Sequence, residues 1–358
     1  MKILFLVPYP LKEAPSQRFR FEQYFTILND KGHQIQTQSF LSPSNWQLFF
    51  KPGHTFHKLF AVLSGLLKRV YAISISPSFD FIFIHREAAP LGPPIFEWIL
   101  AKILRKKIIY DFDDAIWLTD RVNETAFLNF LKWRSKVKRI CQWSYKVSCG
   151  NNYLQNFVLQ HTQNAVYNPT TIDCENLHNP ILYKSRKMLG QLVIGWTGSH
   201  STIKYLQRIE PVLQKIESLF PLVSFVVIAD QTPAMQLNRL TFVKWNSETE
   251  IDDLLKMDIG IMPLPDDTWA KGKCGFKVLQ YMSLQIPTVA SPVGVNVEII
   301  EHEKNGLLAS SEEEWILALQ KLIEDKTFRD QLGKNGKHTV IKNYSVASNS
   351  STFLSLFE

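Results

Sequence analysis

Short apolar runs alternate with amphipathic stretches along the whole chain. KILFLVPY (2–9) precedes an amphipathic segment at 17–30, FDFIFIH (79–85) precedes 94–104, KKIIYDF (106–112) precedes 126–140, and YKVSCG (145–150) precedes 151–160. Strand followed by helix, repeated, predicts parallel βαβ units. The pattern restarts after residue 190 with QLVIGWTG (191–198), a helix at 201–218, VSFVVIA (223–229), an acidic-flanked helix at 247–256, DIGIMPL (258–264), a helix at 276–284 and TVASP (288–292). That restart predicts two consecutive doubly wound α/β domains with parallel sheets. The break falls near AVYNPTTID (165–173), where Asn168-Pro169 disfavours helix and suits a linker. Domains are therefore expected at 1–168 and 169–340, with 341–358 as a closing helix.

Composition adds bounds to this picture. A length of 358 residues exceeds the roughly 100–200 of one domain. Apolar residues make 45% and charged residues 20%, as in soluble globular proteins. Cys141, Cys149, Cys174 and Cys274 form no C-x-x-C pair, so neither a disulfide framework nor a zinc site is indicated, and a reducing cytosol fits. MKILFLVPYP, with one Lys and a short apolar run, reads as a first β-strand rather than a secretion leader. No stretch offers about 18 uninterrupted apolar residues, so a spanning helix is not expected. The net charge of +7 is unevenly divided: residues 1–170 hold 21 Lys and Arg against 11 Asp and Glu, whereas 171–358 hold 19 against 22. The positive N-terminal half suits an anionic lipid surface or a phosphorylated substrate; nucleic acid is not expected, because no recognition motif accompanies the charge.

In an open parallel sheet, ligands sit at the carboxyl ends of strands. The candidates are thus Arg18 and Arg20, His85-Arg86-Glu87, the DFDD run at 111–114, Gly195 to Ser199, Pro263 to Asp267, and Lys271 to Lys277. The richest stretch is WAKGKCGFKVLQYMSLQIPTVASPVGVNVEII (269–300). Gly272 and Gly275 permit close backbone approach, a helix starts near Gly275 or Phe276, and Lys271, Lys273 and Lys277 add positive charge at its amino end. Free N–H groups and the helix dipole make an anion site there, suited to a diphosphate. A solvated basic turn before a core helix is the plainer alternative. In GWTGSHST (195–202), Gly198 allows a tight strand-to-helix turn and Ser199 or Ser201 can cap the helix.

YDFDDAIW (110–117) sets Asp111, Asp113 and Asp114 directly after an apolar run. A metal site, an aspartate nucleophile, a polar-substrate pocket and a turn with one capping Asp and one paired with Arg18, Arg20 or Arg86 are the alternatives. The nucleophile motif wants Thr or Val two residues beyond the second acid, and Asp113 is followed by Asp114-Ala115. Arg18 and Arg20 in SQRFRFEQ suit phosphate or carboxylate, as does Arg86, with salt bridging or surface charge as alternatives.

Several of these stretches, taken in order, resemble the retaining glycosyltransferases of family 4: MKILFLVPYP, IGWTGSHSTIKYL, FVKWNSETEIDDLLKMDIGIMPL, the 269–300 stretch running into EHEKNGLLA, and KNYSVASNSSTFLSLFE. The resemblance covers nearly the whole chain. It implies the GT-B fold, two facing Rossmann-like domains with the last helix crossing back to the N-terminal one. It implies a hexosyltransferase-type enzyme moving a sugar, with retention, from a nucleotide diphosphate donor to a hydroxyl of a glycan or lipid-linked acceptor, in cell-surface polysaccharide synthesis. The donor is a co-substrate; no metal and no other cofactor is implied. Family members commonly carry Glu, seven residues, Glu, and here those positions are Gly272 and Gln280. Gln280 retains hydrogen bonding to ribose hydroxyls, and in this G-K-C-x-F-K-x-x-Q-Y-M variant Lys273 and Lys277 would take over diphosphate contacts. Gly198, Ser199, Trp245, Gly275, Phe276 and Gln280 would bind the donor. Asp113 stands near the position of a family His loop, so Asp113, Lys273 and Lys277 are the implied catalytic set, with Arg18, Arg20, Arg86, Asp111 and Asp114 lining the cleft or the acceptor site. The missing Glu pair supports the alternative of a non-catalytic nucleotide-sugar-binding partner of an active transferase.

Two basic, aromatic segments bear on location. In 49–73, Leu59, Leu63, Leu66, Leu67 and Val70 share a helical face that excludes Lys58, Lys68 and Arg69, and 127–146 is comparable. They are similar to interfacial helices, with an ordinary core helix as the alternative. A cytoplasmic protein, peripheral on the inner face of the cell membrane, is the expectation.

Overall fold

The computed structural model describes residues 1–49, 53–119, 125–183 and 191–358, the side chains of 127 and 128 excepted. The 49–73 and 127–146 segments therefore each include positions, 50–52 and the side chains of 127 and 128, that lie outside the described residues. By contacts the chain divides into two units.

The first unit comprises Met1–Thr170, Gly272–Cys274 and Asn349–Glu358. Among the described residues it holds six strands, β1 (Lys2–Val7), β2 (Gln34–Ser39), β3 (Phe81–His85), β4 (Lys107–Phe112), β5 (Lys146–Cys149) and β6 (Ala165–Tyr167). They form one parallel sheet in the order β2-β1-β3-β4-β5-β6. Both faces are covered, which is why β1, β3 and β4 read as continuous apolar runs instead of alternating ones. On one face Leu4, Leu6, Ile82, Ile84, Tyr110 and Val147 share a core. The other face is aromatic: Phe5 lies 4.7 Å from Phe83, and Phe21 5.3 Å from Phe83. Phe353 and Phe357 close this cluster, Phe353 stacking on Tyr24 at 4.2 Å. The end of the last helix is thus part of the first unit, as the resemblance implies.

The segment predicted as one helix over 126–140 is two, Ala126–Lys132 and Lys136–Trp143, interrupted where Trp133 takes a left-handed φ of 50°. Strand β2, QIQTQS, escapes the apolar-run pattern because it is a sheet edge with few apolar positions. The helix Thr55–Ile75 turns its small-residue side inward. Ala61, Gly65, Arg69 and Ala72 form its buried side, while Leu59, Leu63, Leu67 and Val70 are exposed. Among the described residues, Thr55–Ser78 is one helical stretch long and apolar enough to cross a membrane, although the sequence offered no uninterrupted apolar run.

The second unit comprises Thr171–Lys271 and Gly275–Ser348. Its strands among the described residues are β7 (Leu192–Thr197), β8 (Val223–Ala229), β9 (Leu240–Lys244), β10 (Ile259–Met262), β11 (Thr288–Ala290) and β12 (Leu307–Leu308), in the parallel order β12-β11-β10-β7-β8-β9. Along β8, Phe225 and Val227 enter one core with Trp196, Leu213 and Trp315, and Val226 and Ile228 enter the other with Met257 and Tyr281. The helix predicted over 201–218 breaks into His200–Gln207 and Glu210–Leu219. Pro211, at the start of the second piece, has no N–H to continue the first.

Candidate functional site

In the first unit the chemistry gathers at the carboxyl ends of β3, β4 and β5. β4 runs to Phe112, so Asp111 is a strand residue, in register with His85 on β3 and Ser148 on β5. Its carboxylate is fully buried and accepts from Ser148 Oγ at 2.6 Å, from His85 Nδ1 at 2.8 Å and from the Arg20 guanidinium. Arg20, also buried, donates to Ser148 Oγ at 3.0 Å and to the Asn168 carbonyl. Burial alone would raise the Asp111 carboxyl, but Arg20 and His85 more than reverse this and hold it well below the usual carboxylate range. Burial likewise works against the Arg20 charge, and Asp111 outweighs it. Arg20 and Asp111 thus form a buried ion pair, in which Arg20 Nε is left without a hydrogen-bond partner.

Asp113 and Asp114 lie past the strand and form a separate, partly exposed network. Arg86 Nε donates to Asp113 Oδ1 at 2.9 Å, and its Nη2 lies 2.7 Å from Asp113 and 2.9 Å from Asp114. Lys273 Nζ donates to the other Asp114 oxygen at 2.9 Å. Arg86 sits at φ 60°, pinned by its N–H to Asp111 O and by Tyr110 Oη donating to its carbonyl. Burial lowers the Arg86 guanidinium, and Asp113 and Asp114 raise it further than burial lowers it. All three acids of DFDD are thus paired with cations. Cys274 Sγ lies 3.1 Å from the Asp113 carbonyl, and a Cβ at Gly150 would stand 2.4 Å from that sulfur. Asn151 Nδ2 donates to the Lys273 carbonyl at 2.9 Å, so this short segment is held by backbone as well as by charge. Arg18 is at the end of the Pro15–Arg18 turn, 4.9 Å over the Phe19 ring.

In the second unit the helix Phe276–Ser283 starts at Gly275, whose φ of 67° is left-handed. A Cβ there would stand 2.4 Å from Ile299 and 2.9 Å from Val295, so both conformation and space require glycine. Lys277 Nζ lies 5.6 Å over the Trp196 ring. Gly198 is packed under the same indole: a Cβ would be 2.3 Å from it. Ser199 is the N-cap of His200–Gln207, its N–H donating to Thr202 Oγ1. Lys271 pairs with Asp266 at an exposed position. Gln280 is buried, its Nε2 3.3 Å from Glu250 Oε1 and 3.4 Å from His178 Nε2, and Trp245 Nε1 reaches the same Glu250 oxygen at 3.3 Å. Glu250 and His178 were not singled out in the sequence. Glu250 opens the acidic helix predicted over 247–256, observed as Glu250–Leu254, but it lies 30 residues from Gln280 in sequence, so the pattern held no signal that joins the two.

Among the described residues no group of three or more His, Cys, Asp or Glu side chains is placed to hold a metal ion. A cavity of about 560 Å³ lies away from these clusters, walled by Trp117, Phe130, Trp133 and Arg134.

Residues 230–339 match the family model described as Glycosyl transferases group 1, so a domain of that family is present over Trp245, Glu250, Gly275, Lys277 and Gln280. No curated protein sequence matches the chain. Its fold is that of solved GT-B structures. A glycosyltransferase from Rickettsia africae is 14% identical with a TM-score of 0.71, the match covering 99% of this chain and 97% of that one. Anabaena HepE, in a complex with UDP and glucose, is 15% identical with a TM-score of 0.66, covering 99% and 98%. A sucrose-phosphate synthase from Thermosynechococcus elongatus is 13% identical with a TM-score of 0.66, covering 100% and 98%.

Proposed function

We propose that the chain is a cytoplasmic, nucleotide-sugar-dependent retaining glycosyltransferase that moves a hexose to a hydroxyl of a glycan or lipid-linked acceptor in cell-surface polysaccharide synthesis. The observation that carries the reading is the start of the Phe276–Ser283 helix, inside the matched family segment: a left-handed Gly275 delivers the chain into a helix amino end flanked by Lys277. Such an end binds a diphosphate through N–H groups and helix dipole, without a metal. Gly198, Ser199, Phe276 and Gln280 belong to the donor site in this reading, with Trp245 near the base. Anabaena HepE, solved with UDP-glucose, supports a uridine diphosphate sugar as the first donor to try.

Lys273 and Lys277 are the proposed cations for charge developing on the leaving diphosphate. The bond from the anomeric carbon to the diphosphate oxygen breaks, the acceptor oxygen bonds on the same face, and the departing oxygen takes the acceptor proton. No separate strong base is needed. Asp113, with Arg86 and Asp114, is proposed to hold hydroxyls near the reacting sugar. Lys273 and Asp114 are ion-paired as the structure stands, so donor binding by Lys273 would draw it from that carboxylate.

The test is a panel of nucleotide sugars with glycan and lipid-linked acceptors, read as nucleotide release, beside mass spectrometry of nucleotide retained by the purified chain. Lys273→Ala and Lys277→Ala are expected to lower donor affinity and nucleotide release sharply with the fold intact; unchanged kinetics in both would remove the donor-site assignment. Gly272 and Gln280 in place of a Glu pair favour one other reading, a non-catalytic nucleotide-sugar-binding partner. Donor binding without turnover across the panel would select it.

A further inference from the structure

The Thr55–Ile75 helix presents its apolar side outward, and the first unit explains why. Its inner side is made of Ala61, Gly65 and Ala72, small enough for close approach: a Cβ on Gly65 would stand 2.4 Å from the Phe40 ring. Between them Arg69 is buried and fixed, Nε donating to Ala88 O at 2.6 Å, Nη1 to Gln38 O at 3.0 Å and Oε1 at 2.9 Å, and Nη2 to Val7 O at 2.8 Å. Nothing in the first unit covers the other side among the described residues, where Phe56, Phe60 and Leu67 are 79%, 69% and 71% exposed, and Leu59, Leu63, Val70 and Tyr71 continue the surface. The patch extends sideways. The 88–98 connection contacts the helix through Ala88, adds exposed Leu91, Ile95 and Trp98, and joins Lys136 of the next helix pair through Ala89 O. Gly92 N–H donates to Leu131 O, which brings in Phe130, 66% exposed.

Charge says what this surface meets. The sequence has no Asp or Glu between Asp30 and Asp80, while Lys31, Lys51, Lys58 and Lys68 fall in that interval besides the buried Arg69. Lys132, Arg134, Lys138 and Arg139 follow on the helix pair at the other end of the patch. A two-fold dimer through this face would set cations against cations, with no carboxylate from residues 31–79 to pair them. A helix of 21 residues is about 32 Å long, enough to cross a bilayer. To do so, however, it would have to strip Arg69 from its three carbonyls. We infer that this face of the first unit is a docking surface for an anionic lipid bilayer, with the Thr55–Ile75 helix lying in the interface plane, its aromatic and leucine side chains in the acyl boundary and the flanking cations on headgroups. The inference stands independently of the transferase reading, since it uses none of the donor or acidic-network residues.

The test is flotation of the whole chain with vesicles of phosphatidylglycerol and phosphatidylethanolamine, against vesicles of phosphatidylcholine alone, for wild type, Phe60→Asp/Leu67→Asp and Lys58→Glu. The inference expects wild type to float with the anionic vesicles, to partition at least about tenfold more weakly in the Asp double variant, to lose binding to anionic vesicles in Lys58→Glu, and to be stripped by alkaline carbonate. Unchanged melting of the variants separates lost docking from lost folding. Equal flotation of wild type and the Asp double variant, absence of flotation, or retention after carbonate would each overturn it. So would a dimer in light scattering that the Asp double variant dissolves while wild type fails to float.

Discussion

Removing the Asp111 carboxylate tests the interior of the first unit most directly. In Asp111→Ala, Arg20 loses its counter-ion and His85 and Ser148 lose their acceptor, while the guanidinium stays buried with only Ser148 Oγ and the Asn168 carbonyl. Breaking one side of a buried ion pair costs about 3–5 kcal/mol, most of it the stranded charge. For a unit of this size, each kcal/mol moves Tm by about 2–4 °C, so a drop of about 6–20 °C is expected by scanning calorimetry of the whole chain. Replacing both partners, Arg20→Met with Asp111→Leu, removes the charge together with its partner and should melt above Asp111→Ala.

The pH dependence fixes the sign. The Asp111 pKa is depressed by folding, so its contribution is fully present above the ordinary carboxylate value and disappears as pH falls toward the folded value. The Tm gap between wild type and Asp111→Ala is expected to be constant from pH 8 to pH 5 and to close below about pH 4. A Tm change under 2 °C at pH 7, or a gap that widens in acid, would refute the account of Asp111 as a core ion-pair partner.

Gly275→Ala places a Cβ against Ile299 and Val295 at a left-handed φ, and should cost about 1–3 kcal/mol, read by urea denaturation, with weakened nucleotide binding in calorimetry. Gln280→Glu restores the family's carboxylate but sets it beside buried Glu250, now 3.3 Å from the Gln280 amide; its Tm loss is expected to be larger at pH 8 than at pH 5, because the two like charges then coexist. Arg86→Ala leaves Asp113 and Asp114, each more than four-fifths buried, with Lys273 beside Asp114, so a lowered Tm and a raised acceptor KM are expected, read by calorimetry and by kinetics.

Much of the architecture was legible because parallel sheets bury both faces. The runs FIFIH, KIIYDF and VSFVVIA needed no periodicity argument, and their alternation with amphipathic stretches gave both doubly wound units. Edge strands with one open side, such as QIQTQS, carried no such signal. The DFDD run shows the finer limit. The predicted run KKIIYDF already carries the strand past Asp111, yet the three acids read together as one cleft-lining group; Asp111 is a buried strand residue, and Asp113 and Asp114 lie beyond the strand end. Which Arg each acid would take was not readable, because Arg20 and Arg86 arrive from segments 91 and 27 residues away from Asp111 and Asp113.

The Thr55–Ile75 helix carries the more general lesson. A hydrophobic stripe says that a helix has two unlike sides, not which side the protein keeps. The stripe Leu59, Leu63, Leu67, Val70 is the stronger apolar signal, yet Ala61, Gly65 and Ala72 let the helix approach the unit closely, and Arg69 meets three carbonyls left at Val7, Gln38 and Ala88. Turning the stripe inward would bury bulky leucines where there is room only for a glycine against Phe40, and would take the guanidinium away from those carbonyls. Arg69→Leu should therefore be a poor substitute despite suiting an apolar helix: it removes the guanidinium from three carbonyls, of which Val7 O keeps the Phe40 N–H, at about 1–3 kcal/mol for each one left unsatisfied. Arg69→Lys, a point donor in place of a fork, should recover only part of the loss. If Arg69→Leu melted at or above wild type, the small-residue side would not be what holds this helix, and its outward stripe would need another explanation.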